Sequence, residues 1–123
     1  MDVKNKRIVV TGAASGIGKA LCEAFHESEA QSIVAVDMNL DGAQETADSV
    51  NGIAIKANVG SEEDTINIIE KSDEHAGGID IFCSNAGIGG VPGFFEVNAS
   101  DWQNIWDVNV QSHIFAAKHV LPQ

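Results

Sequence analysis

The amino-acid sequence predicts a doubly wound parallel α/β sheet of at least four strands, and three observations predict it. Short unbroken apolar runs rich in β-branched residues, such as Ile8, Val9 and Val10, read as strands buried on both faces. A helical or turn-rich helical stretch follows each run, so strand and helix alternate four times along the chain. A glycine-rich turn joins the first strand directly to the first helix.

The first strand is placed at Arg7–Thr11 and ends at Gly12. From Gly16 onward Ile17, Ala20, Leu21, Ala24 and Phe25 recur at helical spacing, which predicts an amphipathic helix facing the sheet with that stripe. Ser32–Asp37 is a second buried run, residues 41–50 form a weak helix and residues 52–57 a third strand. Ser61 is placed as the N-cap of a helix running to about His75. Gly77 and Gly78 break the chain before a fourth strand over residues 79–84. A turn-rich stretch from Asn85 to about Ala99 is long enough to suggest a functional loop, with Phe94 and Phe95 expected to anchor it, the alternative being that they flank a substrate pocket. The last helix is expected to begin near Ser100 or Asp101 and to need cover on two sides. Trp102, Trp106, Ala116 and Val120 form one apolar stripe, and Ile105, Val108 and Phe115 another.

The chain has 123 residues, 44% of them hydrophobic, consistent with one domain over residues 1–123. A formal charge of -11 disfavours nucleic acid as partner, because affinity for that polyanion comes from Lys and Arg. No apolar run is long enough for a membrane span, and MDVKNKRIVV does not resemble a cleaved leader. Cys22 and Cys83 have neither disulfide-framework nor zinc spacing, so a reducing, cytoplasmic setting is expected. His26, His75, His113 and His119 are scattered and propose no metal site, and Cys83 is expected to be a packed, inert thiol.

The chemistry concentrates in the turn Thr11-Gly12-Ala13-Ala14-Ser15-Gly16-Ile17-Gly18. Glycines there permit a tight turn and close approach of a pyrophosphate, while the helix N-terminus supplies free N–H donors to the anion. Asp37, at the end of the second strand, is positioned to accept hydrogen bonds from the ribose hydroxyls of an adenosine.

Together these residues resemble the short-chain dehydrogenase/reductase family. The TGxxxGxG pattern is matched by Thr11, Gly12, Gly16 and Gly18, and the family's NAG by Asn85, Ala86 and Gly87 after the fourth strand. Asn109, in Asp107-Val108-Asn109-Val110, resembles the asparagine of the family's catalytic tetrad. The resemblance implies a Rossmann-like sheet in strand order 3-2-1-4, with the cofactor crevice at the carboxyl ends where the order reverses. It also implies a cofactor site made of Gly12, Ser15, Gly16, Ile17, Gly18, Asp37, Asn58, Val59, Asn85, Ala86 and Gly87. Asn58-Val59 stands where the family often has Asp-Val, and the Asn58 carbonyl still offers an acceptor to an adenine amino group. Asn85 serves equally as a brace for the strand junction or as a cofactor contact. Asn109, a polar group on a helix face, needs partners, which favours a functional or water-binding role.

The implied activity is NAD-dependent hydride transfer between a nicotinamide cofactor and an alcohol or carbonyl substrate. NAD(H) is expected over NADP(H), because Asp37 would repel a 2′-phosphate and Ala13, Ala14 and Ser15 supply no cation to attract one. The resemblance covers the whole chain but only about the first half of a typical family member. The family's catalytic serine and YxxxK pair would lie past Gln123; the chain has no tyrosine, and Lys118 follows Ile114 at the relevant spacing. The expectation is a fragment truncated after the fourth strand and its helix, inactive by itself. The alternative is a non-catalytic nucleotide-binding or structural remnant. An open fourth-strand edge and excess apolar surface on the last helix lead to an expected homodimer or higher oligomer.

Overall fold

A computed structural model describes residues 1–90 and 93–123. Nine regular elements and one wide helical turn follow in order: β1 (Arg7–Thr11), α1 (Gly16–Glu27), β2 (Ser32–Asp37), α2 (Leu40–Ser49), β3 (Ile53–Lys56), α3 (Glu62–Ala76), β4 (Ile81–Cys83), α4 (Ala99–Trp106), a π-helical turn (Asp107–Gln111) and α5 (Ser112–Val120). The strands form one parallel sheet in the order β3-β2-β1-β4, as the sequence predicts. The chain order reverses between β1 and β4, which opens a crevice at their carboxyl ends.

The alternation of side chains along each strand divides the core between the two faces. Ile8, Val10, Ile33 and Ala35 pack with Cys22 of α1 and Ala47 of α2 on one face. Val9, Val34, Val36 and Ile55 pack with Ile68 of α3 on the other. Both faces are thus covered, which is why the strand sequences carry no polar alternation.

Three sequence expectations change. The fourth strand is only Ile81–Cys83, flanked by Asp80, whose side chain is engaged by Arg7, and Ser84, whose hydroxyl pairs with His113. The inward stripe of α1 is Gly18, Leu21, Cys22 and Phe25, one step round from the expected one, leaving Ile17 73% exposed. Gly18 must face inward: a Cβ there would collide with the Gly12 carbonyl oxygen. The last helix is interrupted by the π turn, which brings Val108, Ser112 and Ala116 to the buried side. Of the stripe Trp102, Trp106, Ala116 and Val120, Ala116 is covered whereas Trp102 and Trp106 remain 57% and 54% exposed. That helix starts at Ala99 because Asn98 and Asp101 form a reciprocal capping box.

The amino ends of β1 and β4 are locked by charge. Arg7 Nε and Nη2 donate to the two Asp80 carboxylate oxygens at 2.9 Å each, and the Arg7 backbone N–H donates to Oδ2 at 2.8 Å. The same guanidinium donates to the Gly77 carbonyl, where the left-handed Gly77 ends α3. Arg7 hydrogen bonding, first through the side chain and then the backbone, holds the Asp80 carboxyl well below the usual carboxylate range.

Because Asp80 is more acidic folded than unfolded, its contribution is complete above the unfolded value of about 4 and is lost as pH falls toward the folded one. The melting temperature should therefore drop as pH is lowered below about 4, and Asp80→Asn should be less stable at neutral pH with a flatter acid limb. Thermal unfolding followed by circular dichroism between neutral and acidic pH measures both effects.

Candidate dinucleotide site

The crevice at the sheet's carboxyl edge begins with β1 and its turn. Gly12 has φ +71°, a left-handed conformation, and a Cβ there would lie 3.0 Å from Ala86 Cα. The strand end and the Asn85-Ala86-Gly87 segment can approach this closely only because residue 12 has no side chain. Thr11, 1% exposed, fastens them together. Its hydroxyl donates to the Cys83 carbonyl at 3.3 Å and accepts from the backbone N–H groups of Asn85 and Ala86 at 3.0 and 3.1 Å. Asn85 Nδ2 returns a hydrogen bond to the Thr11 carbonyl at 3.0 Å. Of the two roles open to Asn85, the bracing one is therefore occupied in the structure.

The glycine-rich turn is held from behind by α2 and from the side by β2. The buried Thr46 hydroxyl donates to the Ala13 carbonyl at 2.8 Å, and Ala13 N–H donates to the Val36 carbonyl at 3.0 Å. Ser15 takes the N-cap position of α1 in extended conformation, but its side chain makes no capping hydrogen bond. The first turn of α1 carries no acidic residue, whereas α2, α3 and α4 each begin with at least one. The N-terminus of α1 thus keeps its free N–H groups and positive dipole end without an internal anion.

Asp37 closes the crevice at the end of β2. Its Oδ2 accepts from Ala14 N–H at 3.0 Å and its Oδ1 from Asn39 N–H at 3.0 Å. The carboxylate is thereby fixed in position, and each oxygen retains a lone pair for another donor. A cavity of about 210 Å³ runs from Gly12 past Asp37, Asn58 and Val59 to Ala86 and Gly87, with Met38, Ile88, Asn104 and Val108 completing its walls. A neighbouring recess joins Gly12, Asp37 and Gly87 to Ser15, Ile17, Gly18 and Asn85. Gly16 lies outside both linings; its φ of +55° bends the turn into the helix.

Two expected site residues have internal partners. Asn58 Oδ1 accepts from Gly60 N–H at 3.0 Å, while Asn58 N–H donates to Asp64 Oδ2 at 2.7 Å. Asn109, on the π turn, accepts from Ile88 N–H and donates to the Ile88 carbonyl, both at 2.8 Å. The partners that its polar side chain requires are the loop backbone, so the side chain ties the loop after β4 to the last helix. Thr46 and Asn104 carry no sequence motif and reach the crevice only when the crossovers bring α2 and α4 to it, while Met38 lines it as the residue after Asp37.

Outside the crevice, Cys22 is fully buried and burial pushes its thiol up to about 11, while burial also raises Cys83. Both are poor nucleophiles at neutral pH. Among the described residues no group of three metal-ligating side chains assembles, and no helix is long and apolar enough to cross a membrane. Phe94 and Phe95, expected to anchor the loop, stand 81% and 93% exposed and meet each other edge to face. The Gly93 carbonyl accepts from both Glu96 N–H and Val97 N–H, so the turn closes through its own backbone without buried rings.

The short chain dehydrogenase sequence profile matches residues 6–123. The chain belongs to the short chain dehydrogenase family. Glucose 1-dehydrogenase 2 of Bacillus subtilis (strain 168) is 33% identical over 98% of this chain and 49% of its own length. L-rhamnose 1-dehydrogenase (NADP(+)) of Thermoplasma acidophilum is 30% identical over 98% of this chain and 49% of its own length. The crystal structure of a short-chain dehydrogenase/reductase of the glucose/ribitol dehydrogenase type from Brucella melitensis superimposes with a TM-score of 0.90 at 32% identity, covering 99% of this chain and 53% of that one. This short chain dehydrogenase sequence spans about half the length of the relatives it matches.

The Thr11 junction generates a prediction. Thr11→Val keeps the shape but leaves the part-buried Ala86 N–H without its acceptor, at about 1–3 kcal/mol for an unsatisfied group, while Asn85 N–H keeps the Cys83 carbonyl. Urea unfolding should show a loss of about 1 kcal/mol, and amide exchange at Ala86 should accelerate selectively.

Proposed function

We propose that this chain is the dinucleotide-binding portion of an NAD-dependent short-chain oxidoreductase, which transfers hydride between the nicotinamide and an alcohol or carbonyl substrate. The observation that carries the reading is the uncapped, acid-free N-terminus of α1, which opens at Gly16, where no other side chain or backbone lies within 4 Å of a Cβ position. These features fit a pyrophosphate, which would accept from the first-turn N–H groups. Asp37, fixed by Ala14 and Asn39, would accept from the adenosine ribose hydroxyls. The nicotinamide supplies the hydride chemistry when bound; the residues of this chain bind and orient.

A 2′-phosphate on the ribose would meet the Asp37 carboxylate in a turn whose residues Ala13, Ala14 and Ser15 offer no cation. This supports NAD(H) over NADP(H), in contrast to the relative whose name specifies NADP(+). The 123 residues contain no tyrosine to serve as the phenolic acid or base expected from the family resemblance. Binding without turnover is accordingly the reading for this chain alone. Self-association belongs to the same reading, supported by the half-exposed Trp102 and Trp106 and the exposed Ile114 on α4 and α5.

Calorimetric titration should show NAD binding more tightly than NADP by about tenfold or more, a difference of about 1.4 kcal/mol. Asp37→Ala should narrow that ratio, and tighter NADP binding would sink the proposed preference. NAD-linked oxidation of simple secondary alcohols by the purified chain should remain at background; robust turnover would show that another group performs the proton transfer.

A further inference from the structure

The peptide group between Ala13 and Ala14 is gripped at both ends. Its carbonyl accepts from the Thr46 hydroxyl of α2 at 2.8 Å, and its N–H donates to Asp37 Oδ2 at 3.0 Å. Thr46 and Ala13 are both buried. The Thr46 hydroxyl also lies 3.2 Å from the Gly42 carbonyl, one helical turn back, but the shorter contact is the one that ties α2 to the glycine-rich turn. Gly42 sits on the same face of α2 as Thr46 and makes the second contact: a Cβ there would lie 2.8 Å from Ala14 Cβ. The helix therefore meets this peptide at its carbonyl through Thr46 and at the Ala14 methyl through residue 42.

A peptide group is planar and rigid, so a fixed carbonyl also fixes the direction of the N–H. Two donors hold the Asp37 carboxylate, Ala14 N–H on Oδ2 and Asn39 N–H on Oδ1. Without the first, the carboxylate is held at one oxygen and gains rotational freedom. A fixed carboxylate is a preorganised acceptor for a ribose hydroxyl and a constant repulsion to a phosphate in its place; a rotating one is weaker in both respects. We propose that Thr46 is a positioning residue that acts from α2, through the Ala13–Ala14 peptide, on the discrimination Asp37 makes between a free ribose 2′-hydroxyl and a 2′-phosphate. The room left by Gly42 is part of the same device. This rests on the dinucleotide reading above and adds to it two residues that stand outside the cavity lining.

Calorimetric titration of the 123-residue chain with ADP-ribose, and with ADP-ribose carrying a 2′-phosphate on its adenosine, tests the device. The wild type should favour ADP-ribose by about tenfold or more. Thr46→Val should narrow that ratio by at least about threefold, chiefly by weakening ADP-ribose, and Thr46→Ser, which keeps the hydroxyl, should restore it. A merely structural loss weakens both probes alike and leaves the ratio where it was. Gly42→Ala pushes on the same peptide from Ala14 with Thr46 intact and should narrow the ratio too; it decides the matter if Thr46→Val does not fold. Without ligand, amide exchange at Ala14 should accelerate in both variants. A ratio that folded Thr46→Val leaves unmoved overturns the inference while dinucleotide binding stands. A wild type with no preference overturns it together with the NAD(H) preference, and failure of both probes to bind the folded wild type overturns the dinucleotide reading as well.

Discussion

The hydroxyl of Thr11 lies where β1 ends, β4 ends and the chain order of the sheet reverses. It donates to the carbonyl of Cys83 and accepts from the amides of Asn85 and Ala86, so one side chain ties together three backbone groups where the strands diverge. The crevice depends on this constraint. If the strand ends separated, Ala86 and Gly87 would withdraw from Gly12 and the cavity wall between them would open. Asn85 reinforces the junction from the opposite direction, through the carbonyl of the same threonine.

At the other end of these strands, Arg7 and Asp80 perform the corresponding task with charge. The pair is only about a quarter exposed, at 28% and 27%, and its doubly hydrogen-bonded geometry gives it more directional definition than an ordinary surface ion pair. Three matched residue pairs connect β1 and β4 between the two locks. A short edge strand is thus held at both ends by side chains, which relieves the ladder itself of that demand. Glu62 connects the next layer, joining the start of α3 to Lys118 and His119 of α5; those two hydrogen bonds lower its carboxyl pKa.

The strand pattern was legible in the sequence because burial on both faces leaves continuous apolar runs such as Ile33 to Val36, and the glycine turn was legible because it has a fixed spacing. Periodicity located α1 but misplaced its inward face. Ile17 is hydrophobic enough to belong to a core stripe, and only the close approach of Gly18 to Gly12 rotates it into the crevice. The final helix was less legible still, since a π turn shifts every later residue relative to a regular helical projection. Asn109 was identifiable as a polar group needing partners, whereas its pairing with the Ile88 backbone depends on a loop path that the local sequence does not specify. Likewise, the acceptor on Asn58 was visible from its residue type, but not its orientation by Gly60.

The net charge of -11 makes an anionic dinucleotide an unfavourable visitor at long range, and the local architecture explains how the crevice can nevertheless suit it. Mobile ions screen exposed charges beyond about 8–10 Å at ordinary ionic strength, so much of the acidic surface acts weakly inside the crevice. The first turn of α1 contributes no carboxylate, and its amides and dipole act at contact distance. Asp37 is the charged group retained at the ribose end, where hydroxyl donors rather than phosphate oxygens are expected to face it. Segregation along the cavity therefore matters more than total charge. The lining combines neutral carboxamides, a carboxylate fixed by backbone amides and the uncapped start of α1, so under the proposed reading each part of a dinucleotide would meet groups of suitable polarity without the site becoming cationic overall.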